Sequence, residues 1–301
     1  MFSMFRKRVC LVSFVLVMGL VLTSAADAAD PDLVAWWKLD ETSGTTAQDA
    51  TGNGHDGALQ GDPQWVEGQL GGALEGDGSG DYVRVPHSES LSLSDAATVA
   101  VWVYRAPGAG RGMVICKGSD RDAWWSSYSM ILDTALVILF RGLSTNPDKL
   151  SSNSVIPEAE WTHIAITFDV SAPGNNQKLY INGQLDAENR SENPLSTNTD
   201  DLLIGADAYP VGSTRFHWQG MLDDVRIYSR ALTEAEINLV MTTGILRPPG
   251  SASNPSPANE TTDVGYKVIL SWKPGEFAAP TNGHKVYFGE SFDDVNDATG
   301  G

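Results

Sequence analysis

The chain has 301 residues, 42% of them hydrophobic, with 30 Gly and 15 Pro; that supplies a core and many turns, and favours an all-β fold of one large or two ordinary domains. A net charge of −18 excludes the basic footprint of a nucleic-acid binder and suits a soluble exported protein with sites that collect cations. Two Cys, Cys10 and Cys116, are too few for a zinc cluster.

The first predicted element is an export signal over residues 1–28. Phe5–Arg8 is basic, Val9–Leu22 is apolar, and "TSAADAAD" supplies small residues for cleavage after Ala26 or, preferred here, Ala28. The apolar run is short for a membrane span of roughly 20 residues, so no span is expected once it is removed; an uncleaved membrane anchor is the alternative, since no charge falls between Arg8 and Asp27. Cys10 leaves with the signal. Cys116 then has no partner for an internal disulfide and is expected to be a small buried apolar residue.

From Trp36 to about Tyr228 short alternating runs are separated by Gly, Asn, Asp and Pro: "DYVRVP", "TVAVWVY", "GMVICK", "ALVILF", "WTHIAITF", "KLYING", "DLLIG" and "DDVRIY". This spacing predicts a β-sandwich. Asn182-Gly183 predicts a tight hairpin. In "LTEAEI" Thr233 is the N-cap of a single helix, Glu236 its capping-box partner, and Leu232 and Ile237 a hydrophobic staple; Gly244 is a fitting C′ residue. Residues 247–260, "RPPGSASNPSPANE", form a Pro/Ser-rich linker. Residues 261–301 hold two further strand-like runs, "YKVILSWKPG" and "HKVYFGES", too few for a sandwich and expected to begin a second β-domain.

In "GMLDDVRIY" alternation sets Met221, Asp223, Val225 and Ile227 on one face and Leu222, Asp224, Arg226 and Tyr228 on the other. Asp81 is likewise in phase with Val83 and Val85. A carboxylate on an apolar face must be paired, capped or metal-bound. Asp224 is expected to meet solvent or Arg226. His163, in phase with Ala165 and Thr167, reads as a structural histidine.

Among the nine Trp, Trp36, Trp37, Trp102 and Trp161 lie in strand-like runs and are expected in or near the core. "DRDAWWSSY" differs: Trp124 and Trp125 are adjacent, so one should face solvent if the segment is extended. With Tyr128, Tyr209 and Trp218 they form a candidate platform for stacking sugar rings. The alternative is a satellite cluster packed over the sandwich edge.

"LVAWWKLDETSGTTAQDATGNGHDGAL", "GGALEGDGSGDYVRVP", "TVAVWVY", "EWTHIAITFD", "LYINGQ" and "FHWQGMLDDVRIYSRALTEAEI" come in an order that resembles bacterial LamG-like jellyroll domains of the concanavalin A-like lectin and glucanase group, over residues 33–246. Similar sequences often have Phe where Gly76 precedes Asp77-Gly78. The tail resembles the first half of a fibronectin type III-like domain. The resemblance implies a jellyroll β-sandwich and a structural Ca²⁺ at a strand end, carried over to Asp81 and Asp223 with Asp77 as a further ligand; Ca²⁺ takes six to eight oxygens. The competing reading is that the acids accept loop N–H groups.

Glucanases of this group carry E-x-D-x-x-E, a nucleophile and acid pair; the chain has no such motif, nor G-x-S-x-G, H-E-x-x-H or a P-loop. The expectation is a secreted, cell-surface or periplasmic non-catalytic module that binds a polysaccharide or surface glycoprotein. A protein-adhesion or spacer module is the alternative, and a glycoside hydrolase a more remote one.

Overall fold

The computed structural model describes residues 30–118, 127–133, 138–141, 149–208, 213–243, 253–256 and 271–273. The expected export signal, Trp124, Trp125, Tyr209 and Gly244 lie outside them. In chain order the strands are β1 (Leu33–Trp37), β2 (Thr46–Ala47), β3 (Gly57–Gln60), β4 (Gln64–Glu67), β5 (Gly72–Asp77), β6 (Tyr82–Val85), β7 (Ala96–Arg105), β8 (Gly112–Lys117), β9 (Tyr128–Leu132), β10 (Ile138–Arg141), β11 (Lys149–Ser151), β12 (Trp161–Asp169), β13 (Gln177–Ile181), β14 (Gln184–Asn189), β15 (Leu202–Ile204), β16 (Asp207–Ala208), β17 (Thr214–Arg215) and β18 (Gln219–Tyr228). The helix α1 (Glu234–Thr243) follows.

Two eight-stranded antiparallel sheets make a sandwich, the fold class expected from the sequence. The first runs β14-β13-β12-β7-β18-β5-β4 with β1 also on β18; the second runs β11-β10-β9-β8-β15-β6-β3-β2. One apolar cluster fills the space between them: Val99, Val101, Val103, Ile164, Ile166, Phe168, Val225 and Ile227 from the first sheet meet Val83, Val85, Met130, Leu132, Leu202 and Ile204 from the second. Each of these strands sends alternate residues inward, as a half-buried strand must.

The alternation breaks once where it matters. On β18, Asp223 pairs with Trp102 and Arg226 with Ala100, so two residues, Asp224 and Val225, stand opposite Val101 alone. This is a β-bulge, and Asp224 takes a left-handed φ of 53° there, a conformation Asp tolerates better than most residues. The extra residue shifts the phase. Leu222 therefore joins Val225 and Ile227 in the inner cluster, while Asp223, Arg226 and Tyr228 share the outer face. The expectation that Asp223 shares a face with Val225 and Ile227 assumed unbroken alternation and is corrected by the bulge.

Two local expectations are met. Asn182 and Gly183 have φ of 49° and 76° and close β13 onto β14, the double positive φ of the tight hairpin turn. At α1 the Thr233 N–H donates to Glu236 Oε2 at 2.8 Å and the Glu236 N–H to Thr233 Oγ1 at 3.3 Å, closing both halves of the capping box. Leu232 and Ile237 are both buried in a second cluster with Ala100, Ala165, Tyr180, Tyr228 and Val240. The helix thus seals part of the outer face of the first sheet. Cys116 is buried and forms no disulfide.

In the tail, β19 (Ser253–Ser256) lies inside the stretch expected as linker and pairs with β20 (Ser271–Lys273), part of the expected "YKVILSWKPG" strand. Pro255 is compatible with such a pair because an edge strand leaves one N–H row unused.

Candidate binding site

The acids singled out by sequence are turn clamps. Asp81, in the connection that carries the chain from β5 in one sheet to β6 in the other, accepts the Asp62 N–H at 2.9 Å and the Asp77 N–H at 3.2 Å. Asp77 itself accepts the Ser79 N–H at 2.7 Å. Asp223 Oδ2 accepts the Gln69 and Leu70 N–H groups at 2.8 and 2.7 Å, which fixes the β4–β5 turn. Asp81 and Asp77 are together; Asp223 is apart from them. Gln219 of β18 stands beside Asp77 and Leu222 beside Leu74, so the Asp81 clamp lies at one end of β5 and Asp223 near the other, roughly 13 Å away by strand rise.

The donor chemistry of these residues fits capping rather than a shared Ca²⁺. Three of the four carboxylate oxygens of Asp81 and Asp223 face N–H groups, whereas the cation needs a shell of oxygens. Among the described residues no group of three or more His, Cys, Asp or Glu side chains converges on a metal-sized site.

Asp223 Oδ1 is buried without a hydrogen-bond partner. Burial pushes the Asp223 carboxyl up to about 7, with the Leu70 and Gln69 N–H groups pulling the other way and Asp224 and Asp40 adding to the rise. In the same register row, Trp102 and His163 follow on β7 and β12, their rings 5.2 Å apart in a T-shaped contact. Both His163 ring nitrogens lack partners. Burial, aided by Arg226, lowers His163 to about 3, which leaves a neutral structural imidazole. Asp224 pairs with Arg226 at 2.8 Å with both side chains almost fully buried, accepts the Trp36 Nε1–H at 2.6 Å, and the guanidinium lies 4.1 Å over the Trp36 ring. Of the two partners expected for Asp224, the structure supplies Arg226.

Of the aromatic platform, the two described members are inside. Tyr128 is fully buried and its hydroxyl donates to the Leu91 carbonyl at 3.1 Å. It alternates with Met130 and Leu132 in "YSMIL", a phase visible in the sequence, and all three join the main core. Trp218 is 3% exposed and its Nε1–H donates to the Met221 carbonyl at 3.3 Å; Gly112, which lacks a Cβ, leaves room for its ring. Neither offers a ring face to solvent. Trp124, Trp125 and Tyr209 lie outside the described residues.

A different recess, open to solvent, lies on the outer side of the first sheet. A cleft of about 440 Å³ opens where the β12–β13 connection, the outer face of β12–β13 and the start of α1 meet; this is within the usual size for a small-ligand pocket. Asp169 lines it from the end of β12, Asn175 from the β12–β13 connection, Lys178 and Tyr180 from β13, Leu185 from β14 and Glu234 from α1. The site is held by its surroundings. Asn176 is pinned by two hydrogen bonds with the Ser191 backbone at 2.8 and 2.9 Å, and Asp169 accepts from the N–H and hydroxyl of Ser171 at 2.9 and 2.7 Å. The Tyr180 hydroxyl is raised first by burial and then by Glu234 and Glu188, so the Glu234 carboxylate acts on the same space as the ring. Leu185 is 43% exposed and gives the rim an apolar edge. The sequence carried a signal for this cleft: Lys178 and Tyr180 alternate in "KLYI", one face of the hairpin, and Glu234 begins the helix that packs there.

The family model Laminin_G_3, described as the concanavalin A-like lectin/glucanases superfamily, matches residues 77–238. The chain belongs to that superfamily. Similar solved structures include domain 4 of AbnA, an extracellular GH43 arabinanase from Geobacillus stearothermophilus, in complex with arabinotriose, at 19% identity and TM-score 0.54 over 70% of this chain and 98% of that one. The binding domain of Paraclostridial Mosquitocidal Protein 1 aligns at 17% identity and TM-score 0.52, with 71% of this chain and 52% of that one covered. Trypanosoma rangeli sialidase aligns at 13% identity and TM-score 0.52, over 71% of this chain and 33% of that one. At these identities the likeness is one of fold, and the chain spans about half of the toxin domain and a third of the sialidase. A search of curated proteins returned no match. Among the described residues no helix is long and apolar enough to cross a membrane.

Proposed function

We propose that the chain is a non-catalytic carbohydrate-binding module of an exported protein. The observation that carries this reading is the cleft between the β12–β13 connection and α1, which combines a tyrosine, an ammonium, a free amide, carboxylates and an aliphatic rim in about 440 Å³. Glycan units need this mixture, because each has hydroxyls that both donate and accept and C–H faces that pack on apolar side chains. The fold supports the reading as well: the arabinanase domain was solved with arabinotriose and other similar structures are toxin binding domains. Fold alone does not assign a ligand, so the weight rests on the cleft. Export follows from the basic-then-apolar start of the sequence, the pattern of a cleavable signal.

Glycoside hydrolysis is the second reading, because two carboxylates, Asp169 and Glu234, line the cleft. Hydrolysis needs one acid to protonate the leaving group and the other to act as nucleophile or base; Asp169 instead has an oxygen committed to Ser171. The test is retention of the mature chain on a panel of insoluble polysaccharides with a reducing-sugar assay on the same mixtures. Retention without sugar release is the expected result. Release of reducing ends would replace the proposal with hydrolysis, and no retention on any polysaccharide would replace it with protein adhesion.

A further inference from the structure

The charges of the cleft restrict which glycan it takes; this step rests on the carbohydrate reading above. Lys178 lies opposite Thr167 on β12 and Glu188 on β14. Lys178 and Glu234 make no ion pair among the described residues, and neither does Glu188, which stands across the strand from Lys178 but does not line the recess. Of the other charges on this side, Asp169 accepts from Ser171, Arg190 is held by the Ala172 and Gly174 carbonyls and Glu192, and Glu236 by Arg230 and Thr233. Two uncommitted groups of opposite sign therefore border one recess. Lys178 only donates hydrogen bonds and the Glu234 carboxylate only accepts them. One hydroxyl can accept from the first while a neighbouring hydroxyl donates to the second.

We infer that the cleft holds an uncharged sugar unit by two adjacent hydroxyls, one on Lys178 and one on Glu234, with the Tyr180 hydroxyl and the Asn175 amide as further polar contacts and Leu185 at its rim. Acidic glycans are disfavoured for two reasons. One lysine and two acids, Asp169 and Glu234, line the recess, so it carries excess negative charge, in a chain whose net charge is −18. The N-terminus of α1, which would otherwise attract an anion, is filled by the Glu236 carboxylate through the Thr233 N–H and hydroxyl. An anionic sugar would bring a third carboxylate beside two that are already there, and like charges at close range oppose binding.

The experiment is titration calorimetry on the full mature chain with soluble arabinan, xylan and mixed-linkage β-glucan as neutral probes and polygalacturonate as the anionic one, at low and at high salt. The expected result is binding to at least one neutral probe, insensitive to salt because no net ligand charge is screened, with weaker or no binding to polygalacturonate. Glu234→Gln, Lys178→Gln and Lys178→Met should each lower affinity about tenfold, the scale of one lost hydrogen bond to a charged group, with the thermal midpoint unchanged. Three outcomes overturn parts of this distinguishably. Neutral binding that survives Lys178→Met and Glu234→Gln moves the site elsewhere and leaves the module reading intact. Preference for polygalacturonate refutes the charge argument. Binding to none of the probes here, together with no retention on the insoluble panel, removes the carbohydrate reading itself.

Discussion

The two faces of the first sheet are built from the same strands and obey different chemistry. The inner face is Val, Ile, Leu and Phe packed on the second sheet. The outer face carries His163, Trp102, Asp223, Arg226 and Asp224, all at 9% exposure or less, beside an apolar patch under α1. By alternation alone the outer residues look like a solvent face. On this face α1 covers Ala100, Ala165, Tyr180 and Tyr228 and the β4–β5 turn closes on Asp223. Arg226 is answered by Asp224 and Trp36 and one Asp223 oxygen by the turn N–H groups, while His163 stays neutral and its ring nitrogens, Trp102 Nε1 and Asp223 Oδ1 remain without partners. An apolar face is stabilised by area and tolerates imperfect partners; a buried polar face is stabilised only where each group has an answer.

Breaking the ion pair should have the largest effect. Arg226→Ala leaves the buried Asp224 carboxyl without its guanidinium partner and should lower stability by about 3–5 kcal/mol. The double variant Asp224→Asn with Arg226→Met removes both charges while Asn keeps the left-handed bulge position and an acceptor for Trp36; it should be more stable than the single variant. Urea unfolding of the three proteins checks this. A single variant within the error of wild type would mean that the outer face is hydrated and the contrast between faces is false.

The pH dependence sharpens the same contrast. The Asp223 carboxyl is raised from its ordinary 3.8 to about 7 in the fold, so the native state holds a proton that the unfolded chain has released. Stability from this group is complete below about pH 4 and is lost as pH rises through about 7. His163 has the opposite sign: lowered from 6.5 to about 3, it costs stability as pH falls from about 6.5 toward 3. Between about pH 4 and 6.5 the two slopes oppose each other. Asp223→Asn should remove the decline on the alkaline side, and His163→Gln the decline on acidification. Thermal midpoints measured from pH 4 to 8 on each variant would show identical profiles if the pair does not titrate.

The smallest expected effect is that of calcium. With the Asp81 and Asp223 oxygens facing N–H groups and roughly a strand length apart, neither EDTA nor millimolar Ca²⁺ should move the thermal midpoint. A rise with Ca²⁺ that Asp81→Asn abolishes would show that the β5–β6 connection rearranges around an ion, since a ligand that binds only the folded state must stabilise it.

The inner half of the molecule was open to sequence reasoning because a buried strand repeats every two residues, and "TVAVWV" or "HIAITF" has no other stable use. The same holds for the Asn182-Gly183 turn and the Thr233–Glu236 cap, where short-range chemistry decides the geometry. The bulge at Asp224 was not legible. One extra residue in a strand leaves no mark on an alternating pattern unless its partner register is known, and "LDDVRI" runs as smoothly on paper with the bulge as without it. It reversed the phase of Asp223, which is buried on the outer face of the sheet and not among the inner aliphatic residues. The cleft escaped for another cause: Lys178, Asp169, Asn175 and Glu234 come from two strands, the connection between them and a helix, which only tertiary packing brings together.

The β1–β18 pairing sets how the domain answers a pull. Leu33, where the chain enters, lies opposite Tyr228, where the last strand ends, and Arg230 joins the two sides through Asp30 and Asp32 at 2.8 and 3.1 Å. A load drawn between these points meets the antiparallel ladder at one end and opens it pair by pair, from Leu33↔Tyr228 toward Trp37↔Val225, instead of shearing all its bonds at once. The Arg230 clasp at the mouth of that ladder is therefore the first resistance the domain offers to such a load, and the buried Arg226–Trp36 stack further along the ladder is the second.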